Sequence, residues 1–375
     1  MVYTLVLEAS AERIESSSLS RRTKLKNLYL HLLGDSDIIF TMNTTYHTSP
    51  KIGFACKIQQ SHDQADSDLN IKSTTLAYVQ RQTADKAREK LWSLVHHNLQ
   101  ALRRQVEWVS RLPLNQRMFR IGSEVLPLYS HDDWMPFYFQ PDVVSVLERK
   151  LLEIGDIARK NSVRLSFHPG QFCVLASDRP DVVENSITEF EYHADIIRYM
   201  GFGRQFQDFK CNVHIGGKLG PDGIRSAITR LSPEARNTLT IENAEFSWGI
   251  EASLELVDVC ALVLDIHHHW IATSEYITPE DSRVQRLWES WQGVRPVIHY
   301  SVSREDCLVD HDPNVLPDLD ALRSLGFTKA KLRAHSDYYW NHRCNEWALE
   351  FNKYADIMCE SKQKNLASTR LVECQ

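Results

Sequence analysis

The feature that most constrains this chain is a series of eight short apolar, β-branched runs, each ending at a polar or ionisable residue. They lie at residues 51–56, 119–123, 164–168, 211–215, 239–243, 261–266, 296–300 and 355–360, and their length and composition predict strands. Amphipathic stretches at 84–111, 143–161, 182–200, 223–231, 250–259 and 337–353 predict helices between them. Strand and helix in alternation mean a parallel sheet, and eight strands over about 310 residues suit a single-domain (β/α)8 barrel, the TIM-barrel architecture of the α/β class. An open doubly wound sheet is the alternative. No Gly-x-Gly-x-x-Gly follows the first run, and polar residues recur at the carboxyl ends of seven different runs rather than at one crevice, so the barrel is preferred. Residues 59–83 and 302–334 exceed what a minimal barrel needs. Both are expected as loops on the active-site face, the second containing Pro313, Pro317 and a short helix at 319–325.

The rest of the composition narrows the function by exclusion. A net charge of −6 over 375 residues gives no global attraction to nucleic acid, so any polyanion contact needs a local patch or a metal. The eight cysteines, at 56, 173, 211, 260, 307, 344, 359 and 374, contain no Cys-x-x-Cys pair and read as reduced thiols of a cytoplasmic protein. No apolar run approaches the roughly 20 residues that cross a bilayer. The first 41 residues begin with an apolar stretch, Val2 to Leu7, too short for a secretory signal, and Glu8, Glu12 and Glu15 argue against a transit peptide. They are expected to be a dispensable extension, with translation starting at Met42 and residues 42–375 forming the barrel domain.

Ionisable residues at the strand ends suggest chemistry. His131 follows the second run, His168 ends the third, His214 lies in the fourth and Glu242 in the fifth; Asp265 and His268 close the sixth, His299 is in the seventh and Glu360 ends the eighth, with His335 added from the long seventh loop. Their successive gaps are 37, 46, 28, 23, 3, 31, 36 and 25 residues. Apart from the Asp265/His268 pair, that is the roughly 30-residue period of a βα unit, so the set would converge at one barrel mouth. A lone strand-terminal histidine is usually solvated or hydrogen-bonded; the set is what argues for metal. Nine such groups exceed the ligand needs of one ion. Imidazoles and carboxylates without thiolate suit manganese or zinc, and such clusters most often serve in-line displacement at phosphorus, where one ion makes hydroxide from bound water and another stabilises the leaving oxygen. Within His267, His268 and His269, strand alternation selects His268 as the ligand and leaves the other two for packing or support.

Several segments, in order, resemble the motifs of the ultraviolet-damage endonuclease family: K-I-G-F-A-C (51–56), F-R-I-G-S-E-V-L-P-L-Y-S-H (119–131), R-L-S-F-H-P-G-Q-F (164–172), V-H-I-G-G-K (213–218), L-T-I-E-N (239–243), L-D-I-H-H-H-W (264–270), V-I-H-Y-S (297–301), A-H-S-D-Y (334–338) and D-I-M-C-E-S-K (356–362). The resemblance runs from about residue 51 to 367. It implies a metal-dependent enzyme that nicks DNA immediately 5′ of a pyrimidine dimer or related lesion, leaving a 3′-hydroxyl. It places metal ligands at the same nine positions: His131, His168, His214, Glu242, Asp265, His268, His299, His335 and Glu360. Of these, Glu242, His268, His299 and Glu360 are expected to be catalytic, with two or three divalent ions, manganese before zinc or magnesium. It further places a lesion-probing pair at Gln171 and Phe172, where a planar apolar wedge can stack in place of weakly stacked damaged bases, and a DNA-facing aromatic at Phe54.

Three departures from the family pattern bear on these expectations. Family members often carry, two residues before the strand-seven histidine, a lysine that can be carboxylated to bridge metals. This chain has Val297 there, which implies that one ion is held more weakly or through water or an anion. Ile58 stands where an asparagine often follows the first-strand aromatic, leaving Gln59 or Gln60 as substitutes. The seventh loop is longer than usual. For backbone contacts the negative chain needs a basic rim, for which Lys57, Lys218, Arg304, Arg333 and Lys362 are candidates, Lys218 and Arg333 foremost. The expected partner is damaged double-stranded DNA, with no membrane and no obligate protein partner, in the cytoplasm or at a prokaryotic nucleoid. The alternatives are an abasic-site endonuclease of the endonuclease-IV type, a sugar isomerase or epimerase on the same barrel, and a damage-binding protein with an impaired metal cluster.

Overall fold

Each of the eight apolar runs forms a strand, and the strands close on themselves. The computed structural model describes residues 49–375, so the expectations for residues 1–41 and for Met42 lie outside the described residues. The strands are β1 (Ile52–Ala55), β2 (Met118–Arg120), β3 (Arg164–Phe167), β4 (Lys210–His214), β5 (Leu239–Glu242), β6 (Ala261–Asp265), β7 (Val297–Tyr300) and β8 (Asp356–Cys359). All pairings are parallel, each strand lies beside its sequence neighbours, and β1 joins β8 to complete a (β/α)8 barrel. Register sets the functional side chains level with one another: His214 lies opposite Glu242, and Asp265 opposite His299.

The connecting helices bury one stripe each against the barrel. In the longest, Ala84–Ser110, Thr83 caps the start by accepting from the Lys86 N–H, and Ala87, Leu91, Leu94, Val95, Leu99, Leu102, Val106 and Val109 form the buried face at helical spacing. Pro141–Lys160 and Pro180–Tyr199 each begin with proline at the first helical position, where its missing N–H costs nothing. No helix among the described residues is long and apolar enough to cross a membrane.

Several local expectations need correction. The histidine triplet is helical, not strand: Asp265 ends β6 and its Oδ1 accepts from the His268 N–H at 2.7 Å, capping a helix at Ile266–Thr273. The helix expected over 250–259 stops at Leu254, because tight turns lead at once into β6. That over 337–353 starts at His342, where the Asn341 side chain accepts from the Cys344 N–H. Four helices outside the long loops escaped the pattern, Met135–Tyr138, Pro233–Thr238, Ser282–Glu289 and Lys364–Val372. The two long loops follow β1 and β7. The first contains a small antiparallel hairpin, Gln59–Ser61 with Gln64–Ala65, and a helix at Leu76–Gln80; the second contains helices at Leu319–Ser324 and Lys329–Leu332.

Candidate metal centre

Alternation along the strands turns every second side chain into the barrel. Thus Lys210, Asn212 and His214 share the inner face of β4, as Thr240 and Glu242 do on β5. The inside is polar for most of its depth. Near its amino end Arg164 and Arg295 both bind the fully buried Asp356, at 2.7 and 2.8 Å. Higher up, Arg120 pairs with Glu360, Asn212 donates to Glu242, and the Thr240 hydroxyl donates to Asn212 Oδ1 at 2.8 Å.

Glu242 is the hub of the carboxyl end. Its Oε2 is 3.1 Å from His299 Nδ1 and 3.3 Å from His168 Nε2; its Oε1 is 3.4 Å from His268 Nδ1 and 3.9 Å from His214 Nδ1. His299 Nδ1 also lies 3.3 Å from Glu360 Oε1, and Asp265 Oδ2 lies 3.6 Å from His268 Nδ1. Three overlapping groups are each compact enough to hold an ion: His168, His214 and Glu242; His168, His299 and Glu360; and Glu242, Asp265 and His268. Seven of the nine residues singled out in the sequence therefore meet. His335 and His131 stand outside these groups. His335 is adjacent, its Nδ1 donating to the Glu360 carbonyl at 2.8 Å. His131 accepts from the Asp133 N–H at 3.2 Å through Nδ1.

The hydrogen bonding of the cluster fits divalent cations. His168 and His335 each spend their Nδ1–H on a backbone carbonyl, of Pro169 and Glu360 respectively, which in the neutral ring leaves Nε2 free for a cation, and His268 Nδ1 likewise donates to the Asn243 carbonyl at 3.1 Å. That is the arrangement by which a protein orients a metal-binding imidazole. Glu242 Oε1, Asp265 Oδ2 and His299 Nδ1 are buried polar atoms with no hydrogen-bond partner, a costly condition that a cation would relieve. Their electrostatics are correspondingly tense. Burial pushes the Asp265 carboxyl well above its ordinary range and the His168 imidazole down to about 3. At Glu242 burial is outweighed by His299 and His214, and at Glu360 by Arg120, so both carboxyls are held well below theirs. His268, despite burial, is raised to about 9 by Asp265, Glu242, Glu245 and Glu360.

The remaining expected residues divide by exposure. Gln171 and Phe172, in the loop after β3, are exposed, and Phe172 at 85% is the most exposed large apolar side chain described. The loop after β4 packs against the same segment, where Gly217 has φ of +95° and a Cβ would lie 2.3 Å from the Ala176 carbonyl oxygen. Phe54 is a correction. It is 1% exposed and its ring packs on Trp108 at 6.0 Å and Phe119 at 5.3 Å, so it faces outward beneath a helix and cannot reach DNA at the mouth. On the rim, Lys218 pairs with Asp178 at 3.1 Å, Lys362 with Asp337 at 3.5 Å, and Arg333 and Arg304 with Glu245 and Asp306. Gln60, in the hairpin, donates to Asp66 at 2.7 Å. His267 stacks on Trp270 and His269 meets Glu275 at 3.0 Å, both outside the ligand groups.

Sequence reasoning missed three residues inside the barrel, Arg120, Lys210 and Asn212, and Glu245 in the loop after β5. Lys210 is the most consequential, since it is fully buried with Nζ 2.9 Å from His299 Nε2. Burial pushes its ammonium down to about 7. Its spacing of four from His214 would have put it on the same strand face. Val297 lies wholly buried two residues before His299, so Lys210 reaches from across the barrel the histidine that Val297 cannot serve.

A family model described as UV-endonuclease UvdE matches residues 50–375. A UV DNA damage endonuclease of Bacillus cereus is 25% identical over 328 residues, covering 84% of this chain and 92% of the relative, and one of Bacillus anthracis is 24% identical with the same coverage. The crystal structure of SacUVDE superposes with a TM-score of 0.63 at 24% identity, covering 86% of this chain and 97% of that one, a likeness of fold.

Proposed function

The chain belongs to the UV-endonuclease UvdE family, and from that premise we propose that it is a divalent-metal-dependent endodeoxyribonuclease that nicks duplex DNA immediately 5′ of ultraviolet photoproducts, leaving a 3′-hydroxyl. The observation that carries this reading is the position of Glu242. Four imidazoles surround one carboxylate whose Oε1 has no hydrogen-bond partner, at the carboxyl mouth of a barrel whose next-but-one loop presents an exposed Phe172. His131, His168, His214, Glu242, Asp265, His268, His299, His335 and Glu360 would hold two or three ions, manganese in our reading. Such ions supply Lewis acidity, acidifying water and offsetting charge on the phosphate oxygens. Glu242, His268, His299 and Glu360 would surround the reacting phosphate. Asn212 and Arg120 fix the two carboxylates, and the Asn243 carbonyl fixes the ring of His268. Gln171 and Phe172 fill the space left by displaced bases, at an unstacking cost of a few kcal/mol that is least for damaged DNA. Lys218 exchanges Asp178 for a phosphate, and Arg333, kept on Glu245 by part of its guanidinium, offers its remaining N–H groups to another. The enzyme would act in the cytoplasm.

Plasmid nicking tests this. Irradiated plasmid should be nicked in manganese, with untreated plasmid spared and chelator abolishing the reaction. Nicking confined to depurinated plasmid would establish an abasic-site enzyme instead, and binding to irradiated DNA with no nicking at saturating manganese would make the protein a damage binder.

A further inference from the structure

Phe246 lies in the loop after β5, four residues beyond Glu242, and is 55% exposed. A single exposed aromatic needs no explanation on a protein surface. This one is held. The Arg333 guanidinium, arriving from the loop after β7, lies 5.0 Å over its ring, and the same guanidinium is ion-paired to Glu245, whose Oε2 is 3.9 Å from His268 Nε2. The loop itself is fixed at both ends. Asn243 exchanges two hydrogen bonds with the backbone of Asp265, at 2.8 and 3.0 Å, Ala244 N–H donates to the Trp248 carbonyl at 2.9 Å, and the Trp248 indole donates to the Gly217 carbonyl at 2.7 Å. The ring is therefore immobilised relative to the ligand cluster by charge and backbone contacts, with more than half of its surface still open. Phe172 and Phe246 rise from the loops after β3 and β5, separated in the barrel by β4, the strand that carries His214.

We propose that Phe246 is a second stacking platform for DNA, its open face taking a base at a position other than the one Phe172 occupies, with Arg333 beside it for the neighbouring phosphate. This rests on the nuclease reading above. An aromatic face accepts any base, and a cation on its other side both fixes its orientation and adds positive potential where the backbone passes. Such a platform would grip the strand at a fixed distance from the lesion, adding binding energy alike in the ground and transition states, while touching no reacting atom.

The test uses the full-length enzyme in manganese and a duplex with a single thymine dimer and 2-aminopurine at successive positions on either side of it. Phe246→Leu keeps bulk and apolarity but has no π face. It should raise KM for this duplex roughly 5- to 150-fold, the loss of one base stack, with kcat unchanged. Stopped-flow traces should lose the 2-aminopurine quenching at one position before the nick, and Phe246→Trp should restore both. Wild-type KM with unaltered quenching at every position in Phe246→Leu would overturn the proposal, as would a fall in kcat at unchanged KM or no rescue by Phe246→Trp. Failure of the wild-type enzyme to nick the dimer duplex would remove the nuclease reading itself, and the platform with it; a wild-type nick with an indifferent Phe246→Leu removes the platform alone.

Discussion

Lys210 Nζ stands 2.9 Å from His299 Nε2, at the inner side of a ring whose Nδ1 faces Glu242 and Glu360 at 3.1 and 3.3 Å. The contact decides which nitrogen of His299 looks into the ligand cluster. Replacing Lys210 by Met, of similar length but without a polar end, would free the ring. Loss of a partner that orients a ligand costs about 10- to 100-fold in metal affinity. Manganese titration of Lys210→Met should show a decrease of that size in the weakest-binding class of sites. Thermal stability of the chelated protein should be equal or higher, because an amine buried without a carboxylate partner has been removed. Unchanged manganese binding would show that His299 keeps its orientation without help.

Glu242 offers the more severe test. Its two oxygens approach four imidazoles, and Gln has the same shape without the charge. Glu242→Gln should lose metal stoichiometry as well as affinity, and nicking should fall by more than the roughly 100-fold upper range seen for outer partners of metal ligands. Metal analysis after dialysis separates this from a purely catalytic defect, in which stoichiometry would be retained.

Phe54 and Phe172 make a contrasting pair, because the sequence assigned both to DNA and the structure separates them. Phe54→Ala removes a fully buried ring between β1 and a helix and should destabilise the fold by about 3–5 kcal/mol, measured by denaturant unfolding, with the preference for irradiated over untreated plasmid intact. Phe172→Ala, at an 85% exposed site, should leave stability within about 0.5 kcal/mol and reduce that preference. The reverse pattern would return Phe54 to the DNA-binding surface.

The same pair shows where the sequence was legible. The eight strands were, because runs buried on both faces end at ionisable residues, and so was the convergence of seven of the nine candidate ligands, because one polar residue per βα unit must converge when the sheet closes. Which face of a strand a residue takes was not. Phe54 follows Gly53 and precedes Ala55, small residues that leave no contrast in polarity to mark the inner side. Lys210 and Arg120 look like strand-end charges in the sequence and become inner-face partners of ligands only when the register brings β4 opposite β7 and β2 near β8. His268 does join the ligand groups while His267 and His269 do not, but strand alternation is not the reason, because Asp265 both ends β6 and caps the next helix.

His268 gives the pH prediction. In the chelated protein its imidazole is held at about 9, burial lowering it and Asp265, Glu242, Glu245 and Glu360 together raising it further than burial lowers it, against 6.5 for an ordinary histidine. Between those values the folded protein binds a proton there that the unfolded chain does not, so folding stability falls as pH rises through that window. The stabilisation is complete below about 6.5 and gone above about 9. Lys210, lowered to about 7 by burial, has the opposite slope, so the wild-type curve alone would conceal the effect. The difference between wild type and His268→Gln cancels it, since both carry Lys210. Melting temperatures of the two chelated proteins should therefore lie furthest apart near pH 6, converge between 7 and 9, and run parallel above. A gap that widened with rising pH would mean that His268 is neutral in the metal-free fold and that the carboxylates around it are balanced by other cations of the barrel.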